Sequence, residues 1–181
     1  METSETKPDT SFRTVLNLAY LSLGSNVGDR EANLRDALAR LSAIGRLVAV
    51  SSLYETEPVE FTRQPWFVNC AVALETSKTP TQLMPAILRI EEEMGRQRLQ
   101  KKGPRSIDID ILMFLIGEIE DAIRDSKELT IPHPAMHLRR FVLEPLAEIA
   151  PDLLHPILKK RISELRDALP EGQAVRRIGR S

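Results

Sequence analysis

The sequence predicts an α+β fold with a ferredoxin-like β-α-β-β-α-β core, in which helices pack on a mixed or antiparallel sheet. Three observations predict this class. Several short segments alternate apolar and polar residues, as strands with one buried face do. Two longer segments place apolar residues at helical spacing and begin with recognisable helix start signals. The order of these segments along the chain is that of the ferredoxin-like motif.

The first half of the motif begins with VLNLAYLSL, residues 15–23, which is a candidate strand and is followed by the turn sequence GSN. Asp29 can cap a helix over about 30–44, because its side chain can accept a hydrogen bond from an unpaired backbone N–H group of the first helical turn. The segment 46–56 alternates in polarity and is rich in β-branched residues, which predicts the second strand.

The second half of the motif follows the loop 57–65, which contains two prolines. WFVNCAVALET, residues 66–76, predicts the third strand. A helix is predicted from residue 80 to about residue 94, with Thr79 as its cap. Pro85 lies inside that helix and is expected to kink it or to delay its regular start. The fourth strand is predicted over 106–115.

Shorter elements are predicted in the rest of the chain. The polar and acidic residues 116–128 predict a turn or hairpin tip, after which ELTIPHP ends a short strand. A helix over 141–149, interrupted by Pro145, and a short amphipathic helix over 161–169 follow. A final edge strand is expected over 174–178.

Length and composition predict one soluble domain, over residues 14–181, preceded by a flexible tail over residues 1–13. The net charge of −1 gives no bulk attraction to nucleic acid or to an anionic membrane. No apolar run is long enough to span a bilayer, and the amino terminus lacks the apolar stretch of a signal peptide. Cys70 is the one cysteine and is expected in the core. We therefore expect a cytoplasmic monomer without a nucleic-acid or membrane partner.

The segment SIDIDIL places two carboxylates on a strand that is otherwise typical of a core. Successive side chains of a strand point to opposite faces, so Asp108 and Asp110 share one face and the isoleucines at 107, 109 and 111 share the other. An exposed pair on an edge strand is the structural alternative. Magnesium usually takes one or two carboxylates together with substrate phosphates, which makes a metal–polyphosphate site the functional hypothesis.

A basic loop immediately precedes these carboxylates and contains no acidic residue. Its five cations are Arg96, Arg98, Lys101, Lys102 and Arg105. Such a loop can be a solvated segment after a helix, where the helix dipole favours positive charge. Next to the paired carboxylates, it fits the neutralisation of phosphoryl oxygens better.

Three further features have both a structural and a functional interpretation. His133 lies between prolines that hold the backbone extended, although a single histidine is often structural. Phe67 and Phe141 can pack in a core, or they can form a slot for a flat heterocycle with the Asn69 amide at its edge. No Walker A motif is present in the sequence, which argues against a P-loop kinase.

The motifs together closely resemble the 6-hydroxymethyl-7,8-dihydropterin pyrophosphokinase (HPPK) family. KKGPRSIDIDIL fits that family's signature of a basic residue, one position, G-P-R, two positions, D-x-D and two aliphatic residues. LSLGSN, SSLYETEPV, QPWFVNCAVALET, GRQR and LTIPHPAMHLRRFVLEPLAEIAP occur around it in the family's order. These blocks extend over roughly residues 18 to 152.

The resemblance implies that ATP gives its β,γ-pyrophosphoryl group to the hydroxymethyl group of the dihydropterin, and that AMP leaves, in folate biosynthesis. Two Mg²⁺ ions would lie between the triphosphate and the carboxylates of Asp108 and Asp110. The residues implied in catalysis are Arg96, Arg105, Asp108 and Asp110. Those implied in ATP binding are Arg98, Lys101, Ile111, Leu129, Thr130, His133 and Arg139. Those implied in pterin binding are Gly24, Thr56, Val59, Phe67, Asn69 and Phe141.

Two other functions fit parts of the sequence. A different magnesium-dependent nucleotidyl or phosphoryl transferase with a D-x-D strand is one, and a nucleotidyltransferase would release pyrophosphate instead of AMP. A ferredoxin-like RNA-binding module is the other, but that class requires a basic sheet with paired surface aromatics. The chain has neither a net positive charge nor that aromatic pattern.

Overall fold

The structure, a computed structural model, describes residues 14–59, 62–95, 105–117 and 120–180. The strands of these residues are β1 (Asn17–Ser25), β2 (Arg46–Val50), β3 (Ser52–Thr56), β4 (Phe67–Thr76), β5 (Asp108–Ile116), β6 (Glu120–Asp121), β7 (Arg124–Asp125), β8 (Thr130–Ile131) and β9 (Val175–Arg180). The helices are α1 (Arg30–Leu41), α2 (Pro80–Glu93), α3 (Arg140–Ile149) and α4 (Ile162–Asp167), with a short 3-10 helix at Met136–Leu138. The predicted tail over residues 1–13 lies outside the described residues.

The main sheet has the strand order β6-β5-β1-β4-β3-β9, and β2 also pairs with β4. Every strand pair in it is antiparallel, and β7 and β8 form a separate two-stranded sheet. The chain order β1, α1, β2 with β3, β4, α2, β5 is the predicted β-α-β-β-α-β core, so the predicted fold class is confirmed. The final edge strand is also present, and it pairs with β3.

The predicted second strand, residues 46–56, is two strands and not one. At Ser51, between β2 and β3, the backbone N–H donates to the carbonyl of Ala71 in β4 at 2.9 Å. The Ser51 hydroxyl in turn accepts from the Ala71 N–H at 2.9 Å. A side-chain oxygen thus replaces a backbone carbonyl in the ladder, and the regular strand is interrupted there.

Both prolines predicted to disturb helices lie inside helices that run without a break. Pro85 and Pro145 are each the sixth residue of α2 and α3. A proline in the second turn deprives one carbonyl of its partner and leaves the later hydrogen bonds intact. The predicted interruption at Pro145 and the predicted late start at Pro85 were therefore wrong. The predicted Asp29 cap is confirmed by a hydrogen bond from the Ala32 N–H at 3.0 Å. Helix α1 ends at Leu41, three residues before the predicted end.

The two faces of the sheet differ in what covers them. Helices α1 and α2 cover one face with a large apolar cluster that contains Ile107, Ile109 and Ile111, the isoleucines predicted to share a face. Cys70 belongs to the same cluster, and burial raises the pKa of its thiol to about 12. Helices α3 and α4 cover part of the opposite face with a smaller apolar cluster that includes Met113 of β5. The remaining part of that opposite face holds the polar residues described next.

Across the described ranges, no helix combines the length and the apolar character that crossing a membrane requires.

Candidate active site

A cavity opens over the polar part of the sheet, beside the amino-terminal end of α3. Its lining comes from four neighbouring strands and from the segments that follow β3, precede β4 and β5, and lead into α3. The lining residues are Ser22, Gly24, Thr56, Glu57, Pro58, Val59, Gln64, Phe67, Asn69, Arg105, Asp108, Asp110, Arg139 and Phe141.

Strand register explains why these residues meet. In the central strand β1, Gly24 is opposite Asn69 of β4 on one side and Asp108 of β5 on the other. Two residues earlier, Ser22 is opposite Asp110. Because alternate residues of a strand share a face, the carboxylates of β5 and the amide of β4 lie on the same floor of the cavity.

Arg105 lies in the segment just before β5, and its guanidinium contacts the carboxylate of Asp108. Its Nη1 donates to Asp108 Oδ2 at 2.6 Å, and both side chains are about one-fifth exposed. The backbone of Arg105 is fixed independently of this ion pair by Asn26. The Arg105 N–H donates to Asn26 Oδ1 at 2.8 Å, and the Asn26 N–H donates to the Arg105 carbonyl at 3.1 Å. Asn26 therefore sets the position at which β5 begins.

Asn26 also connects this position to the loop before β4. Its Nδ2 donates to Gln64 Oε1 at 3.0 Å and to the Pro65 carbonyl at 3.1 Å. Arg30 supports the same loop, since its Nη1 donates to the carbonyl of Trp66 at 2.8 Å. Asn26 is only 2% exposed, so its own hydrogen bonds are largely shielded from water. One buried amide thus holds both the carboxylate strand and a wall of the cavity.

A buried carboxylate of α2 holds the backbone of β5. Glu91, near the end of α2, is 1% exposed and its Oε1 accepts from the Ile109 N–H at 2.8 Å. Ile109 is the residue between Asp108 and Asp110. The contact anchors the backbone of β5 at the point from which both aspartates extend, on the side of the strand away from β1.

The donor set of the cavity suits a magnesium ion bound together with phosphate. Asp108 and Asp110 supply hard carboxylate oxygens, which Mg²⁺ prefers, and it commonly completes its octahedron with water and substrate phosphates. Within the ranges that the structure describes, no cluster of three or more His, Cys, Asp or Glu side chains converges in a way that could hold a metal. Two carboxylates and a phosphate chain are the arrangement these residues fit.

Aromatic side chains form the other end of the cavity. Phe67 comes from the start of β4 and Phe141 from the first turn of α3, and both line the opening. The guanidinium carbon of Arg139 lies 5.6 Å from the centre of the Phe141 ring, which is within cation–π range. Asn69 Nδ2 donates to the Thr56 hydroxyl, so the amide is held at the cavity floor.

Gly24 leaves room for that amide. A Cβ atom added at this position would lie 2.5 Å from Asn69 Oδ1 and 3.6 Å from Phe67 Cδ1. The first distance is far below ordinary van der Waals contact. A side chain here would displace the Asn69 amide or occupy the space in front of Phe67, so glycine is required by close approach.

His133 lies beside the cavity without lining it. Burial and the positive charge of Arg139 lower its pKa, and the negative charge of Asp108 offsets part of this effect. The ring is therefore neutral near pH 7. Nδ1 accepts from the Ala135 N–H at 3.2 Å, which places the ring proton on Nε2. The neutral ring can thus donate one hydrogen bond from Nε2.

The structure brings most, but not all, of the predicted site residues together. Ten of them line the cavity: Gly24, Thr56, Val59, Phe67, Asn69, Arg105, Asp108, Asp110, Arg139 and Phe141. Ile111 and Leu129 are instead packed in the apolar cluster beneath the sheet, and Thr130 lies in β8. Arg96, Arg98 and Lys101 lie outside the described residues. The roles assigned to all these residues stay predictions.

Several residues of the site have no local signal in the sequence. The sequence predicts Asn26 only as part of the turn GSN, and no pattern in it singles out Glu91. Glu57 and Gln64 line the cavity from what was interpreted as a loop. Their partners are distant in sequence, so an alternation or capping pattern does not identify them.

Three comparisons relate the chain to known proteins. Residues 20–151 match the family model described as 7,8-dihydro-6-hydroxymethylpterin-pyrophosphokinase (HPPK). A 2-amino-4-hydroxy-6-hydroxymethyldihydropteridine pyrophosphokinase of Bacillus subtilis is 47% identical over 135 residues, which are 74% of this chain and 78% of the relative. The enzyme of the same name from Methylorubrum extorquens is 46% identical over 138 residues, which are 75% and 84% of the two chains.

Longer proteins are also similar. The folic acid synthesis protein fol1 of Schizosaccharomyces pombe is 44% identical over 161 residues, and this match spans 88% of the chain but only 21% of fol1. Among solved structures, a Plasmodium falciparum HPPK-DHPS chain has a TM-score of 0.66 at 18% identity and is matched over 46% of its length. The chain thus spans about a fifth of fol1 and less than half of the HPPK-DHPS chain. The likeness to the solved structure supports the fold.

Proposed function

Because the chain belongs to the 7,8-dihydro-6-hydroxymethylpterin-pyrophosphokinase family, we infer that it transfers pyrophosphate from ATP to 6-hydroxymethyl-7,8-dihydropterin in folate synthesis, giving the dihydropterin diphosphate and AMP. The family and the enzyme class predicted from the sequence are confirmed. The observation that carries the site assignment is the meeting, in one cavity, of two carboxylates, two arginines and an aromatic pair with an amide.

The aromatic end of the cavity is proposed as the pterin site. Phe67 and Phe141 can offer ring faces to a flat bicyclic heterocycle, an arrangement that aromatic groups favour. The Asn69 amide, fixed by Thr56, can form hydrogen bonds with the edge of the ring. We propose that the pterin ring is oriented with its hydroxymethyl group toward the carboxylate end of the cavity.

The carboxylate end is proposed as the site of the triphosphate. Asp108 and Asp110 would hold Mg²⁺, for which the family resemblance implies two ions. When bound, magnesium neutralises phosphate charge and increases the electrophilicity of the phosphorus. The carboxylates that would hold magnesium extend from a strand that Glu91 and Asn26 anchor. The triphosphate would therefore be positioned by a rigid support.

Transfer is proposed as an in-line displacement at the β-phosphorus without a covalent enzyme intermediate. The hydroxymethyl oxygen of the dihydropterin bonds to this phosphorus and loses its hydroxyl proton to water, while the bond from the phosphorus to the oxygen that AMP retains breaks. Arg105 and Arg139 supply positive charge where negative charge spreads over the phosphoryl oxygens. Neutral His133 can donate from Nε2 to a phosphate oxygen. Positioning and electrostatics then account for catalysis.

A product assay tests this assignment against its nearest alternative. Incubation of the protein with Mg²⁺, ATP and 6-hydroxymethyl-7,8-dihydropterin is expected to give AMP and the dihydropterin diphosphate in equal amounts, as chromatography and mass spectrometry would measure. Omission of the dihydropterin is the control and should give no AMP. Release of ADP or of free pyrophosphate instead would identify a different transferase.

Gly24→Ala is expected to weaken dihydropterin binding selectively. The added Cβ would force the Asn69 amide away from the cavity floor, so the KM for the dihydropterin should rise by about tenfold or more while the KM for ATP changes little. The matched control is Gly179→Ala, because an added Cβ there meets no atom within 4 Å. Equal dihydropterin KM values for the two variants would contradict the role given to Gly24.

The setting of the reaction is proposed as the cytoplasm and the active species as a monomer. Cys70 is a buried free thiol, as expected of a protein that does not depend on disulfides. The single-domain organisation over residues 14–181 is likewise proposed, since α3, α4 and β9 pack on the sheet formed by the earlier strands.

A further inference from the structure

The segment that enters β9 reaches the proposed pterin site although it lies beyond residue 151, where the family match ends. Its contact is made by Gln173. Gln173 Oε1 accepts from the Phe141 N–H at 3.1 Å, and Gln173 Nε2 donates to the Glu57 carbonyl at 2.7 Å. Phe141 and Glu57 both line the cavity, Phe141 from α3 and Glu57 from the segment after β3. One amide therefore joins the aromatic wall from α3 to the wall that follows β3.

Both contacts use backbone groups that helix and sheet pairing leave open. The N–H of Phe141 lies in the first turn of α3, where N–H groups have no partner within the helix. Glu57 lies just past the end of β3, where regular pairing with β4 has stopped. An N–H needs an acceptor and a carbonyl needs a donor, and an amide supplies both from one side chain. Neither a carboxylate nor an aliphatic side chain of similar length can make both contacts.

The residues around Gln173 are themselves anchored to the same two walls. Ala174 exchanges two hydrogen bonds with Glu57: the Glu57 N–H donates to the Ala174 carbonyl at 3.0 Å, and the Ala174 N–H donates to Glu57 Oε2 at 3.2 Å. Arg140 Nη2 donates to the carbonyls of Leu169 and Pro170, each at 3.3 Å. Gln173 is thus held from both sides and is not a freely rotating surface amide.

We propose that Gln173 is a positioning residue that sets the width of the pterin site by fixing Phe141 relative to the segment Glu57–Val59. This inference rests on the function proposed above. Gln173 acts through the Phe141 backbone and the Glu57 carbonyl, so its loss alters the fit of the dihydropterin and leaves the carboxylate end unchanged. Phosphate and metal binding are assigned to Asp108, Asp110 and Arg105 at the carboxylate end, whereas Gln173 bonds to Phe141 and Glu57.

Steady-state kinetics of Gln173→Met tests the proposal, because methionine has a similar length and makes neither hydrogen bond. The dihydropterin KM is expected to rise about tenfold, while the ATP KM changes by less than about twofold and kcat by less than about threefold. Gln173→Glu keeps an acceptor for Phe141 but places a carboxylate against the Glu57 carbonyl, so its dihydropterin KM should rise at least as much. Melting temperatures are measured for every variant.

Arg176→Ala is the matched control within the same strand. Arg176 pairs with Glu55 at 2.7 Å in β3, outside the cavity, so its removal perturbs the attachment of β9 without touching the pterin walls. Its KM values should equal those of the wild type. A folded Gln173→Met protein with an unchanged dihydropterin KM would overturn the proposal. So would an equal rise of both KM values with a lower melting temperature, which would indicate a structural role only.

The two proposals fail in different ways. If the wild type itself releases no AMP with the dihydropterin, the proposed function is wrong. If the wild type is active and Gln173→Met has wild-type KM values, only the role of Gln173 is wrong.

Discussion

Asp110→Asn is expected to reduce turnover by about 10²-fold or more, the order of loss that follows removal of one preorganised electrostatic group. Asparagine keeps the shape of the side chain but removes a full negative charge beside the proposed magnesium position. The melting temperature should hold or rise slightly, because two carboxylates on one strand face repel each other when no cation lies between them. Turnover and melting temperature should be measured on the same preparation at saturating Mg²⁺.

The control for this change is Asp36→Asn, which removes an exposed carboxylate that pairs with Arg40 on α1. Exposed pairs of this kind contribute little, so its turnover and stability should match those of the wild type. If Asp110 were only a surface carboxylate of the strand, the two variants would behave alike. Wild-type turnover in a folded Asp110→Asn protein would refute the metal assignment and the mechanism built on it.

Arg105→Ala should lower kcat by about 10²-fold while neither KM rises by more than about tenfold. The negative charge on the phosphoryl oxygens is most in need of a partner during transfer, so the guanidinium stabilises the transition state more than the bound substrates. The backbone at this position should not move, because Asn26 holds it through the main chain. Kinetics with each substrate varied in turn would measure the effect.

Arg105→Lys separates charge from geometry. Lysine keeps the positive charge but cannot present the planar pair of donors that a phosphate or carboxylate accepts, so its kcat should lie between those of alanine and arginine. A large rise in both KM values with nearly unchanged kcat in Arg105→Ala would show that the residue binds substrates in their ground states and would contradict the assignment.

What the sequence made predictable was the part of the site that has a local pattern. The alternation of isoleucine and aspartate in β5 predicted which side chains share a face, and the structure has Ile107, Ile109 and Ile111 in the core and both aspartates in the cavity. Residue type suggests a slot formed by Phe67 and Phe141, the family resemblance implies both in pterin binding, and both line the cavity. These inferences need only the period of a strand and a motif, both of which are readable over a few residues.

What could not be predicted depends on pairs that are distant along the chain. Asn26 contacts Arg105 across 79 residues, and Gln173 contacts Glu57 across 116. Each is a polar residue in an irregular segment, where the sequence alone indicates only a turn or a loop. Ser51 shows the same limit for secondary structure, since the break it makes between β2 and β3 depends on a hydrogen bond to Ala71. Tertiary partners decide such positions, and propensity does not.

The opposite characters of the two sheet faces have a consequence for engineering new substrate preferences. In β1, Leu21 and Leu23 contribute to the apolar cluster while Ser22 and Gly24 line the cavity, and β4 and β5 divide their residues in the same way. A mutant library restricted to the cavity-lining positions would leave every core side chain in place. Variants from such a library should stay folded far more often than those from a library randomised over whole strands, so screening effort would go to altered chemistry and not to misfolded protein.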